Sequence, residues 1–363
     1  MSKLKLFLVG GFLGSGKTTA IQRAAKYLSH NKKKVGVITN DQGTQQVDTL
    51  FIRSLGITSE EVSGGCFCCN YNDLEKSIKF LQRKEQPEVI FAESVGSCAD
   101  LAATVINPLL CFNPDQYEIV LSVYADIRLL IKFLQNKKDI FYNNVNYIFE
   151  KQLQEADIVV VNKIDLLTDE QLKIAKKIIA GSYEGKTILY QNSLSEEGIR
   201  QWLFVCNSSN NSLLRPTLEI DYELYGAGEA ELAWLDEEIQ IVTTDKSAVT
   251  AGSMFINKIY NKITEYNHPI GHLKFLIDNG KEKRKISFSS IPPTPNIDDL
   301  NFLETDKIII LINARVQVIP ALLQKIVVDA IKETEFSANC KIIENGISVF
   351  KPGYPRPTYK IPA

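Results

Sequence analysis

Histidine is almost missing from this chain, and so is any long apolar run. Three histidines, His30, His268 and His272, are scattered over 363 residues, and none is expected to be a metal ligand. The longest obvious apolar stretch, Ile308 to Ile312, falls far short of the ~18–20 residues that cross a bilayer, so no membrane partner is expected. A basic excess is lacking too: 41 Lys+Arg face 43 Asp+Glu, a net charge of -2. Nucleic-acid binders carry a strong positive surplus, so nucleic acid is not an expected partner. Seven cysteines are too few for a disulfide scaffold in a chain this long. Three of them crowd together, a pattern that suggests a reducing compartment and metal or redox chemistry.

What is present reads as two domains of ordinary globular composition, with 45% hydrophobic residues. Lys3 and Lys5 before Leu6–Val9 resemble the start of a secretory signal, but Gly10-Gly11 and Lys17 interrupt it without a cleavage pattern. The stretch reads as a first strand, and a cytoplasmic location is expected. Apolar runs at Leu4–Val9, Val35–Thr39, Glu88–Ala92, Glu118–Tyr124, Ile158–Asn162 and Thr187–Tyr190 lack polar alternation, as strands buried on both faces of a parallel sheet do. Amphipathic stretches such as Thr18–Ser29 and Asp73–Arg83 lie between them. The expected fold is α/β, a doubly wound and mostly parallel P-loop sheet over residues 1–206. The polar run 207–216 is the expected linker. Residues 217–335 are expected to form a smaller α+β domain with an antiparallel sheet, and 336–363 a partly extended tail.

Three motifs carry chemistry. Gly11-Phe12-Leu13-Gly14-Ser15-Gly16-Lys17-Thr18 fits G-x-x-x-x-G-K-[ST] in full, between a predicted strand and a predicted helix. Such glycines let backbone N–H groups converge on a phosphate. Lys17 then supplies a charge to the β/γ oxygens, and the Thr18 hydroxyl a ligand for Mg2+. Gly11, Gly14, Ser15, Gly16, Lys17, Thr18 and Thr19 are the candidate phosphate-binding residues. Asn162-Lys163-Ile164-Asp165 closes a predicted strand. There the Asp165 carboxylate can accept two hydrogen bonds from guanine, with Asn162 on the opposite edge and the Lys163 stem over the ring. Cys66-Phe67-Cys68-Cys69 sets three thiols within four residues at a predicted helix start. Thiolates select zinc and similar ions, and a helix N-terminus favours their ionised form. Three sulfurs leave one tetrahedral position open, as delivery of a metal requires. Small buried hydrophobes or a redox switch are the competing readings, and Cys98, Cys111, Cys206 and Cys340 read as packing residues. Trp202 and Trp234 read the same way, whereas Asp126 fits either a structural or a pocket-lining role.

Together the three motifs resemble the CobW-type GTPases, metallochaperone-like members of the SIMIBI class of P-loop proteins, over about residues 3–205. Glu93-Ser94-Val95-Gly96 looks like the family's E-[ST]-x-G motif. The resemblance implies that Gly96 faces the γ-phosphate and that Glu93 serves the Mg2+ shell or the attacking water. Asn40-Asp41-Gln42-Gly43, with Asp48 beyond, matches the switch after the second strand, so Lys17, Glu93 and Asp41 are the candidate catalytic residues. Where the family usually reads N-E-x-G-E, Asp41 is one methylene shorter and Thr44 is neutral. A slow GTPase using GTP and Mg2+ is the activity that the resemblance implies. It would bind Zn2+ or Co2+ at Cys66, Cys68 and Cys69 and deliver a metal or metallocofactor to a client metalloenzyme, with a homodimer able to complete the site. The alternative is a GTP-gated chaperone for a corrinoid or other cofactor enzyme that transfers no metal.

Overall fold

The unalternating strands do form a parallel sheet with both faces covered. The structure, a computed structural model, describes residues 3–41, 43, 47–135, 141, 143–209, 212–289, 291 and 303–363. In chain order the first elements are β1 (Leu4–Gly11), α1 (Lys17–His30), β2 (Val35–Asp41), α2 (Val47–Ser54), β3 (Ser59–Ser63), α3 (Tyr71–Lys84), β4 (Val89–Glu93) and α4 (Asn107–Phe112). Next come β5 (Tyr117–Asp126), α5 (Ile127–Leu134), α6 (Asn143–Glu155), β6 (Ile158–Asn162), α7 (Asp169–Ser182), β7 (Thr187–Gln191), α8 (Glu196–Ser208) and α9 (Tyr222–Ala230). The remainder are β8 (Ala233–Val242), α10 (Ala248–Glu265), β9 (Ile270–Asp278), β10 (Lys283–Phe288), β11 (Lys307–Val316), α11 (Pro320–Ala338) and β12 (Lys341–Phe350).

Two compact units share these elements. One holds residues 1–42, 55–228 and 354–363, and the other 43–54 and 229–353. In the first, a seven-stranded sheet runs β3-β2-β4-β1-β5-β6-β7, with every pairing parallel. From β1 the chain runs out to β2 and β3, returns to place β4 beside β1, and then runs outward on the other side through β5, β6 and β7, so the crevice beyond the carboxyl ends of β1 and its neighbours is where such a sheet binds ligands. Gly11, Asp41, Glu93, Asp126 and Asn162 are the last residues of five of those strands.

The second unit is α+β, as expected. Its five strands run β10-β9-β11-β8-β12, all antiparallel. Phe275, Ile277, Ile310 and Ile312 point into a core shared with Phe255 and Ile259 of α10 and Leu323 and Val327 of α11. Leu276 and Leu311 fall on the opposite face by the two-residue period of a strand, and there Val47, Leu50 and Phe51 of α2 pack on them. Asp48 seals this contact through Lys274 at 2.5 Å and Lys285 at 3.0 Å. His272 is buried with Nε2 2.6 Å from Asn313 Oδ1, a structural histidine.

Three boundaries differ from the sequence reading. The stretch 212–216, expected to be part of the linker, is not free, because Arg215 is buried and ion-paired to Asp157 at 2.9 Å. The division falls after Gly228 instead. Residues 341–350 form a strand with a register shift between Glu344 and Ile347, and the segment from Tyr354 onward belongs to the first unit.

Candidate nucleotide and thiol site

Sterics fix the phosphate loop. Gly11, Gly14 and Gly16 all have positive φ, which a side chain resists. A Cβ on Gly11 would stand 2.2 Å from the Tyr124 carbonyl oxygen, and one on Gly16 2.4 Å from Asn162 Nδ2. Ser15 is buried and Thr19 half-buried on the first turn of α1. Lys17 is buried over the loop, donating to the carbonyls of Gly11 at 2.6 Å and Phe12 at 3.3 Å. A phosphate oxygen would offer the same ammonium a charged and therefore stronger acceptor. The Thr18 hydroxyl donates to Glu93 Oε1 at 2.8 Å, both side chains buried. Two hard oxygen donors thus meet beside Lys17, a set that suits Mg2+ with phosphate oxygens and water as its other ligands. Gly96 lies against the phosphate loop: a Cβ there would stand 2.5 Å from Leu13 Cδ2.

At the far end of the crevice the N-K-x-D segment is held from beneath. Asp126 caps α5 through the Arg128 N–H at 3.0 Å, pairs with the Arg128 guanidinium at 2.6 Å and receives Lys163 Nζ at 3.0 Å. Burial alone would raise the Asp126 carboxyl, but the Arg128 hydrogen bonds and the Lys163 charge outweigh it and hold it below the usual carboxylate range. Asp126 is therefore the residue that aims Lys163. Asn162 donates to the Ser15 carbonyl at 2.8 Å and accepts from the Ser193 N–H at 3.1 Å and its hydroxyl at 2.8 Å. Its amide thus ties the phosphate loop to the β7 turn. Asp165 is exposed, and no partner holds its carboxylate among the described residues.

The three thiols sit between β3 and α3. Sγ of Cys66 lies 2.6 Å from that of Cys68 and 3.3 Å from that of Cys69, and Cys68 and Cys69 are 3.7 Å apart. Zinc bonds of ~2.3 Å want sulfurs about 3.8 Å apart, so closing on a metal means spreading two of the three edges. Hydrogen bonds with Cys68, Cys69 and then Cys98 outweigh burial and depress the Cys66 thiol, while the Cys69 thiol is pushed up to about 11, chiefly by its bond with Cys66. Asn40, next to last in β2, holds this loop: its amide donates to the carbonyls of Val62 at 2.9 Å and Gly65 at 2.7 Å, and its oxygen accepts from the Phe67 N–H at 2.9 Å. Asp41 follows, half-buried and paired in register with Ser63. Gln42 and Thr44 lie outside the described residues.

A model of the CobW/HypB/UreG nucleotide-binding domain matches residues 5–207, more than half the chain. The chain belongs to this family. Among its relatives in the CobW/HypB/UreG family, "Zinc chaperone CobW" of Sinorhizobium sp is 24% identical over 299 residues, covering 76% of this chain and 82% of the relative. "Zinc chaperone YeiR" of Escherichia coli (strain K12) is 30% identical over 167 residues, 45% of this chain and 47% of the relative. Among solved structures, nickel-bound HypB of Helicobacter pylori is 16% identical, with a TM-score of 0.42 over 60% of this chain and 92% of that one. Motifs and fold together make this a CobW-type P-loop GTPase.

Several site residues escaped the sequence reading. Ser193 and the thiol-bonded Cys98 sit in loops with no motif of their own. The segment 354–363, expected to be part of a partly extended tail, donates the Arg356 N–H to Cys69 Sγ at 3.2 Å and the Thr358 N–H to the Cys68 carbonyl at 2.8 Å.

Proposed function

We propose that this protein binds GTP, hydrolyses it slowly, and uses the difference between the GTP and GDP states to hold and then release a thiophilic metal ion to a client metalloprotein. Residues Gly11 to Thr19 would cradle the phosphates, Lys17 and a Mg2+ held by Thr18 would neutralise them, and Asp165 would select guanine. Bound Mg2+ supplies positive charge against the β- and γ-phosphate oxygens. Glu93 orients what Thr18 holds, Gly96 senses the γ-phosphate, and Asp41 sits where the switch meets the loop of thiols. Catalysis is then positioning and charge neutralisation, and unassisted turnover should be slow, on the order of 10⁻⁴–10⁻² per second. The relatives' names, both zinc chaperones, favour Zn2+ as the cargo.

One observation carries this reading: Asn40, in the strand that leads into the switch, clamps the backbone on both sides of Cys66. A switch that moves β2's end pulls on the thiols. A ligand shifts a two-state equilibrium only by its differential affinity, so zinc affinity should differ between protein loaded with a non-hydrolysable GTP analogue and protein loaded with GDP. Competition against a zinc-binding dye measures both. A difference of tenfold or more, about 1.4 kcal/mol, is the expected result, abolished when Cys66, Cys68 and Cys69 are changed to Ser. Equal affinities in the two states would remove the coupling.

A further inference from the structure

Cys98 was expected only to pack. It is fully buried, yet its thiol hydrogen-bonds Cys66, so a fourth sulfur reaches the cluster from a different loop. It stands outside the tight group formed by Cys66, Cys68 and Cys69. That group lies between β3 and α3, whereas Cys98 follows β4, two residues after Gly96.

The loop carrying Cys98 is rigidly held. The Gln152 amide donates to both the Gly96 carbonyl at 3.0 Å and the Cys98 carbonyl at 2.8 Å. The Cys98 N–H bonds the Val95 carbonyl at 3.0 Å, and the next N–H, of Ala99, takes the Tyr225 hydroxyl at 3.0 Å. A soft ion drawn into the triad has to find a fourth ligand. Around Cys66 the side chain already in contact is a thiol, and zinc sites of four cysteines are closed tetrahedra. Spreading the short edges about Cys66 around a metal moves the Cys66 sulfur among its thiol partners, of which Cys98 is the one from the other loop.

We propose that Cys98 is the fourth ligand of the metal held by Cys66, Cys68 and Cys69, making a four-sulfur site spanning the thiol loop and the loop of Gly96. The proposal rests on the reading that the triad binds a metal, and it revises the idea of a three-sulfur site with an open position. It also gives the nucleotide a second handle on the cargo. Gly96 and Cys98 hang from the same Gln152 side chain, so displacing Gly96 displaces a ligand, and release begins with Cys98.

X-ray absorption on the zinc-loaded full chain counts the sulfurs without any variant. Four Zn–S contacts at ~2.3 Å are expected. Three sulfurs with one oxygen or nitrogen would overturn the proposal while leaving the triad's metal site intact. Cys98→Ala and Cys98→Ser should each lower the count from four to three, and with Co2+ as probe should remove roughly a quarter of the sulfur-to-cobalt charge-transfer absorbance. An unchanged count and spectrum in a folded Cys98 variant would also overturn it. A wild-type chain that takes up no zinc, or a Cys66→Ser variant that keeps its full sulfur count, would sink the metal reading itself and the fourth ligand with it.

Discussion

Asp165 and Asn162 show how one motif divides its labour. Both belong to N-K-x-D, yet Asn162 is buried and committed to Ser15 and Ser193, while Asp165 is exposed. The two should fail differently. Asp165→Ala removes a charged acceptor worth roughly 1.5–3 kcal/mol, so GTP affinity measured by calorimetry should fall about tenfold to a hundredfold, with folding stability unchanged. A variant that binds GTP like the parent would mean the purine sits elsewhere. The phosphate loop was fully legible in the residues because its glycines answer to sterics that no neighbour can relax. Asn162's tie between the phosphate loop and the β7 turn was not legible, because it depends on Ser193, thirty-one positions away.

At the scale of elements, the end of β2 joins two chemistries. Its last residues lead to the proposed switch, and its Asn40 side chain makes three hydrogen bonds to the thiol loop. Asn40→Ala leaves the Val62 and Gly65 carbonyls and the Phe67 N–H without that partner, at a cost of about 1–3 kcal/mol in stability. More telling, the ratio of zinc affinities between the GTP-analogue and GDP states should shrink toward one, as competition titrations would read it. A ratio as large as the parent's would place the coupling in another element. Elements were unevenly readable. The strands of the parallel sheet announced themselves as apolar runs, except β3, a five-residue edge strand with a mixed burial pattern. In β12, Asn345-Gly346 forms a bulge: Gly346 has φ 136° and the pairing to β8 resumes at Ile347. Four prolines after residue 351 made the last segment read as an extended tail, and its docking was hidden because proline excludes ladder bonding but not docking.

On the scale of the whole molecule, the chain visits the second unit with α2, returns to it after Gly228, and comes back at Tyr354. The returning segment covers the thiols. Besides the Arg356 and Thr358 N–H groups, the Thr358 hydroxyl donates to the Cys69 carbonyl at 2.7 Å, and the Ile361 N–H to the Ala103 carbonyl at 2.9 Å. Lys360 meets Asp100 at 3.2 Å, and the Tyr359 ring packs 4.9 Å from Phe112 and 5.1 Å from Tyr71. An N–H aimed at a sulfur stabilises the thiolate and fixes its direction, as partners behind metal ligands do, and losing such partners costs on the order of tenfold to a hundredfold in metal affinity. Ending the chain at Gly353 should therefore weaken zinc binding by about that factor and speed zinc transfer to a chelator, followed by a dye that reports free zinc. Thr358→Pro is the milder test: it removes one N–H and one hydroxyl while keeping the segment's other contacts, and proline suits an extended stretch. Transfer rates in both variants equal to the parent's would mean that the covering segment guards the fold and not the metal.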